Sequence, residues 1–170
     1  VPYRGGGPAM AAVCPAPLRA EQVFENLQQT LRFDENDKNI PAPAASNPGG
    51  AVQRHSGLRN MLYQAFKENP SLPFNEVRGT IPQALLMMNS QLVQRQIAAD
   101  GKTVLAELLA KGQSDEQIVT ALYERALARK PTAEELKLCD RYIAKVGKKK
   151  EALEDIFWSL VNSTEFLIKK

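Results

Sequence analysis

Arg125 and Arg129 are the side chains best placed to do chemistry. Both lie in "ALYERALARKPTAEELKLCDRYI", residues 121–143, and a guanidinium set against an apolar stripe must find an acceptor. On a helical wheel referenced to Ile118, Arg129 returns close to the angle of Leu122, inside the stripe, and Arg125 lies at its edge. Two chemistries suit such a pair. One is an anion site for a ligand's carboxylate or phosphate. The other is a structural ion pair with Glu165 of "NSTEF" as acceptor, favoured because structural ion pairs commonly imitate sites and the terminal helix must pack nearby.

The remaining reactive residue types offer less. His55 is the only histidine, and no neighbouring Cys, Ser-Gly elbow or paired carboxylate is available to orient it as a general base. Histidines, cysteines and carboxylates never cluster at a metal-binding spacing, so neither a metal nor a cofactor is expected. "RGGGP" near the start follows no strand and precedes no Lys-Ser/Thr helix, and is not a phosphate loop. Cys14 and Cys139 form neither C-x-x-C nor C-x-x-C-H; they read as two free thiols, with Cys139 packed as a small hydrophobe. Glu116, Glu134, Glu135 and Asp155 fall near expected helix starts, where carboxylates complement the helix dipole. No catalytic residue is assigned, and an enzyme is not the favoured reading.

Helices must carry these side chains. Val23, Phe24, Leu27 and Leu31 share a face, which predicts a helix over 18–31. Ser56 should cap a second helix bearing Leu58, Met61, Leu62, Ala65 and Phe66 and stopped by Asn69-Pro70. Pro82 suits the first turn of a third, whose Ala84–Met88 run is apolar all round; that predicts an interior helix with Met87 and Met88 filling core gaps. Leu92, Val93 and Ile97 continue the pattern to a break at Asp100-Gly101, and Val104, Leu105, Leu108 and Leu109 carry it to a C-capping Gly112.

"SDEQ" at 114–117 and "TAEE" at 132–135 match the capping box, with Ser114 paired to Gln117 and Thr132 to Glu135. The helices they start run to about Arg129, before Pro131, and to Gly147. A last helix, 149–162, buries Leu153, Ile156, Phe157, Leu160 and Val161, with Trp158 partly buried away from the centre of the stripe. No period-2 strand is evident.

These elements predict an all-α, compact multi-helix bundle: a flexible Pro/Gly-rich leader at 1–17, then a single helical domain at 18–170. Within that domain 34–54 should be a mobile loop and 81–170 the best-defined core. A length of 170 residues with 44% hydrophobic and 24% charged side chains suits one such domain. The net charge of +3 comes largely from Lys148-Lys149-Lys150 and Lys169-Lys170, read as solvated helix ends; with 6% aromatics, nucleic acid is not expected as a partner. No apolar run is long enough to span a bilayer, so direct membrane insertion is not expected, and no signal peptide is evident. A start at Val1 rather than methionine suggests a piece of a longer protein.

Four stretches, "PLRAEQVFENL", "RGTIPQALLMMNSQLVQRQI", "LYERALARKPTAEELKLCDRYI" and "LEDIFWSLVNSTEFLIKK", occur in this order over most of residues 17–170. Together they resemble the C-terminal domain of unknown function of large secreted planctomycete-type proteins, which often also carry a cytochrome c domain. The resemblance implies an extracytoplasmic module, periplasmic or at the cell surface, and brings no catalytic residue. The chain has no C-x-x-C-H, so any haem would belong to another domain. "LYERALARKPTAEEL" and "NSTEF" also resemble helical modules of bacterial surface-layer proteins.

The function expected is a non-catalytic helical interaction or scaffolding module of a cell-envelope protein, its partners being other domains of the same longer chain or envelope proteins. An accessory domain of an exported polysaccharide-processing or haem-linked redox protein is the alternative. It would need a pocket joining His55, Arg125 or Arg129 to facing carboxylates. A nucleic-acid-binding helical domain would need the lysine clusters to meet on one face.

Overall fold

The computed structural model describes residues 16–32, 56–66 and 81–169. Among the described residues eight α-helices follow in chain order: α1 Ala20–Leu31, α2 Ser56–Ala65, α3 Ile81–Asn89, α4 Gln91–Ile97, α5 Val104–Ala110, α6 Asp115–Leu127, α7 Ala133–Val146 and α8 Lys149–Val161. The fold is all-α. Most of the leader, the 34–54 loop and His55 lie outside the described residues.

The helices start and stop where local chemistry dictates. Ser90 Oγ and Thr103 Oγ1 accept from the amides of Val93 and Ala106 at the starts of α4 and α5. Both capping boxes are closed. Ser114 Oγ accepts from Gln117 N while Gln117 Oε1 takes Ser114 N, and Thr132 with Glu135 repeats the exchange. Gly147 ends α7 in the left-handed region at φ 71°, where a side chain would be strained. Replacing Ser114 or Thr132 with alanine is expected to cost about 1 kcal/mol in each case. Denaturant midpoints of the two variants check this, and losses of only a few tenths would show that neither cap matters to global stability.

A single apolar cluster joins these helices. Phe157 and Leu153 of α8, Ile118 and Leu122 of α6, Leu27 and Leu31 of α1, Leu62 of α2 and Leu105 of α5 are all fully buried. α8 is the central post, packing against α4, α6 and α7, while α1 lies across α2, α4 and α6. Cys139 is buried as a free thiol, and Trp158 is half-buried at the edge of the core.

Four features depart from the sequence expectation. α3 is not an interior helix: only Met87 is buried, while Ile81 is 76% exposed, Leu85 54% and Met88 42%. Its main packing partners, α2 and α4, cover one face, and apolar composition all round cannot supply a second partner. α6 ends at Leu127, because Ala128 turns into the left-handed region at φ 53° and takes Arg129 off the helix. Asp155 lies in the middle of α8, not at its start, and accepts a hydrogen bond from Tyr142 Oη at 2.7 Å. Finally, two short strands are present, β1 at Ala16–Pro17 and β2 at Ile168–Lys169, paired antiparallel. Two residues are too few to show a period, so no pattern could announce them.

Candidate functional site

The corner that brings the two arginines together is made from three distant segments: the C-terminal half of α1, the α6–α7 turn, and the chain after α8. That last segment forms a 3-10 helix, Thr164–Leu167, capped by Ser163 Oγ on Phe166 N. Phe166, 3% exposed, anchors it in the core, and Leu18 N donates to Leu167 O beside the β1–β2 pairing.

Arg129 sits between two carboxylates. Its Nε and Nη2 donate to the two oxygens of Glu165 at 2.8 Å each, and Nη1 and Nη2 donate to the two oxygens of Glu135 at 2.8 and 2.7 Å. The second Nη1 hydrogen goes to Lys130 O at 3.1 Å. All the N–H groups of the guanidinium are therefore in use. Its plane also lies over the Tyr123 ring, 5.4 Å from the centroid. Both bidentate contacts have the fork geometry that makes arginine–carboxylate pairs strong.

The electrostatics follow from this cradle. The Arg129 guanidinium, helped by the Thr132 amide, holds the Glu135 carboxyl down at about 2, and Glu135 in turn raises Arg129 above its ordinary value. Burial pushes Tyr123 up to about 12 and also raises the Cys139 thiol beside it. Neither is poised to react at neutral pH.

Arg125 performs a different task. Nε donates to Thr30 O at 2.6 Å and Nη2 to Gln29 O at 2.8 Å, so the guanidinium caps the last carbonyls of α1; Thr30 Oγ1 returns a bond to Arg125 O at 3.3 Å. A cation there complements the helix C-terminus. Burial, then the nearby Arg32 charge, lower its pKa.

A cleft of about 510 Å³ opens between these segments, lined by Asn26, Gln29, Arg125, Leu127, Glu165 and Ile168 among others. Sequence reasoning did not find the α1 side of it, because Gln29 and Thr30 take part through backbone carbonyls 95 residues or more from Arg125. Tyr123 and the second role of Glu135 were also missed. An aromatic six residues before Arg129 was the one available signal for the former.

Other groups stay apart from the corner. Lys148, Lys149 and Lys150 pair with Glu151, Asp115 and Asp100, so that run is neutralised where it stands. Among the described residues no group of three or more His, Cys, Asp or Glu could hold a metal, and no helix is long and apolar enough to cross a membrane.

Comparison with curated proteins and with solved structures finds no match. A family described as PSD1, protein of unknown function (DUF1553), matches residues 52–143, which takes in α2 through most of α7 and includes Arg125, Arg129 and Glu135. As that match spans more than half of the sequence, the chain belongs to the DUF1553 family of proteins of unknown function.

Proposed function

We propose that this chain is a non-catalytic helical interaction module, docking other domains of a longer extracytoplasmic protein through α3. The exposed stripe of α3 carries this reading. Ile81, Leu85 and Met88 recur at intervals of four and three residues along one side, with Ala84 exposed between them. That spacing is the anchor pattern of a helix that lies in a groove. The Arg129 cradle supports the non-catalytic part, since a guanidinium with every donor engaged by the protein has none left for a substrate. The placement outside the cytoplasm, in a planctomycete-type envelope protein, rests on the sequence resemblance.

Hydrogen exchange of α3 separates this reading from its rivals. The α3 amides should exchange more slowly in the longer native protein than in the 170-residue chain. Replacing Ile81 and Leu85 with glutamate should abolish that added protection while leaving the isolated chain's stability within about 0.5 kcal/mol, as for other exposed positions. Equal exchange in both contexts would refute docking through α3.

A further inference from the structure

We infer that the cleft between α1, the α6–α7 turn and the C-terminal 3-10 helix binds a small carboxylate that carries neighbouring hydroxyl groups, of the sugar-acid type. The argument starts from which polar groups in that corner are already satisfied. Arg129 has no donor left. Arg125, on the same cleft, spends Nε and one Nη2 hydrogen on the carbonyls of Thr30 and Gln29. The remaining edge, Nη1 with the second Nη2 hydrogen, meets no acceptor among the described residues. That edge presents two parallel N–H donors and a full charge, the arrangement that a carboxylate oxygen pair satisfies.

Two amides lie on the same wall. Asn26 and Gln29, three residues apart on α1, both line the cleft, and among the described residues neither side-chain amide has a partner. Each amide offers two donors and an acceptor. Amides of that kind suit vicinal hydroxyls, which both give and take hydrogen bonds, better than a bare anion. Ala126, Leu127, Ala128 and Ile168 supply apolar lining between the polar walls. The volume falls within the range of small-molecule sites, and a single sugar ring fits inside it.

Two features set the ligand's polarity. Arg125 supplies the positive charge on this wall, since Arg32 beside it is paired with Glu107 at 2.7 Å. Glu165 faces the cleft but is held by Arg129, so its repulsion of a ligand carboxylate is largely neutralised. The carboxylate therefore belongs at the Arg125 end and the hydroxyls along α1.

The test is a backbone-amide NMR titration of the 170-residue chain with glucuronate, glucose and acetate separately, each to about 20 mM, enough to fill a millimolar site. Glucuronate should shift resonances around Asn26, Gln29 and Arg125 in a saturable way, with acetate and glucose each weaker by at least about fivefold. An oligouronate run alongside distinguishes a site for free monosaccharides from one for a chain end: tighter binding of the oligomer assigns the chain end, equal or weaker binding the free acid. The double substitution Asn26→Ala, Gln29→Ala should weaken glucuronate binding about fivefold without lowering the melting temperature. Arg125→Lys keeps the charge but loses the fork, and should weaken it further. Absence of saturable shifts, shifts located elsewhere, equal responses to all three probes, or unchanged binding in the folded Asn26/Gln29 variant would each overturn the assignment.

Discussion

Arg129→Ala is expected to destabilise the protein by about 2–3 kcal/mol, more than the loss of either helix cap. The side chains of Arg129, Glu135 and Glu165 are 30%, 30% and 26% exposed, so solvent screens them only in part. Without the guanidinium, two carboxylates that now share one cation are left facing the same space, and Tyr123 loses the cation over its ring. For a chain of this length the change lowers the melting temperature by roughly 5–10 °C. Arg129→Lys should recover less than half of the loss, because an ammonium cannot meet two carboxylates with paired parallel bonds. A melting temperature within about 2 °C of the parent for the alanine variant would show that the cradle contributes little.

The same substitution has a pH signature. Glu135 sits at about 2 in the folded protein against an ordinary value of 4.5. A depressed carboxyl stabilises the folded state fully above its ordinary value, and that contribution drains away as the pH falls from about 4.5 towards 2. With partial exposure taken into account, the loss over that window is on the order of 1–2 kcal/mol. In Arg129→Ala the carboxyl returns towards its ordinary value and the acid slope flattens. Unfolding midpoints from neutral pH down to about 2.5 check the slope directly.

What could be read from the chain follows from how local the chemistry is. The helix starts at Asp115 and Ala133 are legible because a capping box is complete within four residues, and the left-handed stop at Gly147 needs only one. The all-α class is legible for the same reason, since amphipathic periods are local. The end of α6 was not. Ala128 has no chemical reason to be left-handed apart from the pull of the corner, and a wheel extended through it puts Arg129 on a helix it has already left. The surface position of α3 was hidden too, because burial depends on partners and α3 shows the same apolar letters whether or not a second face is covered. In the cradle, Glu135 already had a full explanation as the last residue of its capping box. Glu165, 36 residues from Arg129, was suggested by the need of a guanidinium in the stripe for an acceptor, but nothing in the sequence showed that the Glu135 oxygens also take the Nη1–Nη2 edge of Arg129.

Ending the chain at Asn162 should cost more than any substitution considered above, about 4–6 kcal/mol. The segment removed contributes little length but several kinds of contact. Phe166 is 3% exposed within the core, and Phe166→Ala alone should cost about 3 kcal/mol through the cavity it leaves. Glu165 supplies half of the Arg129 cradle, and Ile168–Lys169 pair with Ala16–Pro17, so the truncation also frees the approach to α1. Against a total stability of about 5–15 kcal/mol, a loss of that size brings a measurable fraction of molecules into the unfolded state. The decisive comparison adds Arg129→Ala to the truncated chain. With Glu165 already gone, Glu135 is the one carboxylate of the cradle left to the guanidinium, so its removal should cost at least about 1 kcal/mol less than in the intact chain. Strict additivity would mean that the 3-10 segment is held by its other contacts, Phe166, the Leu18–Leu167 bond and the β1–β2 pairing among them, and that the Arg129–Glu165 contact is only a neighbour to them. Sub-additivity identifies the ion pair as the clasp that fixes the C-terminal segment to the α6–α7 turn.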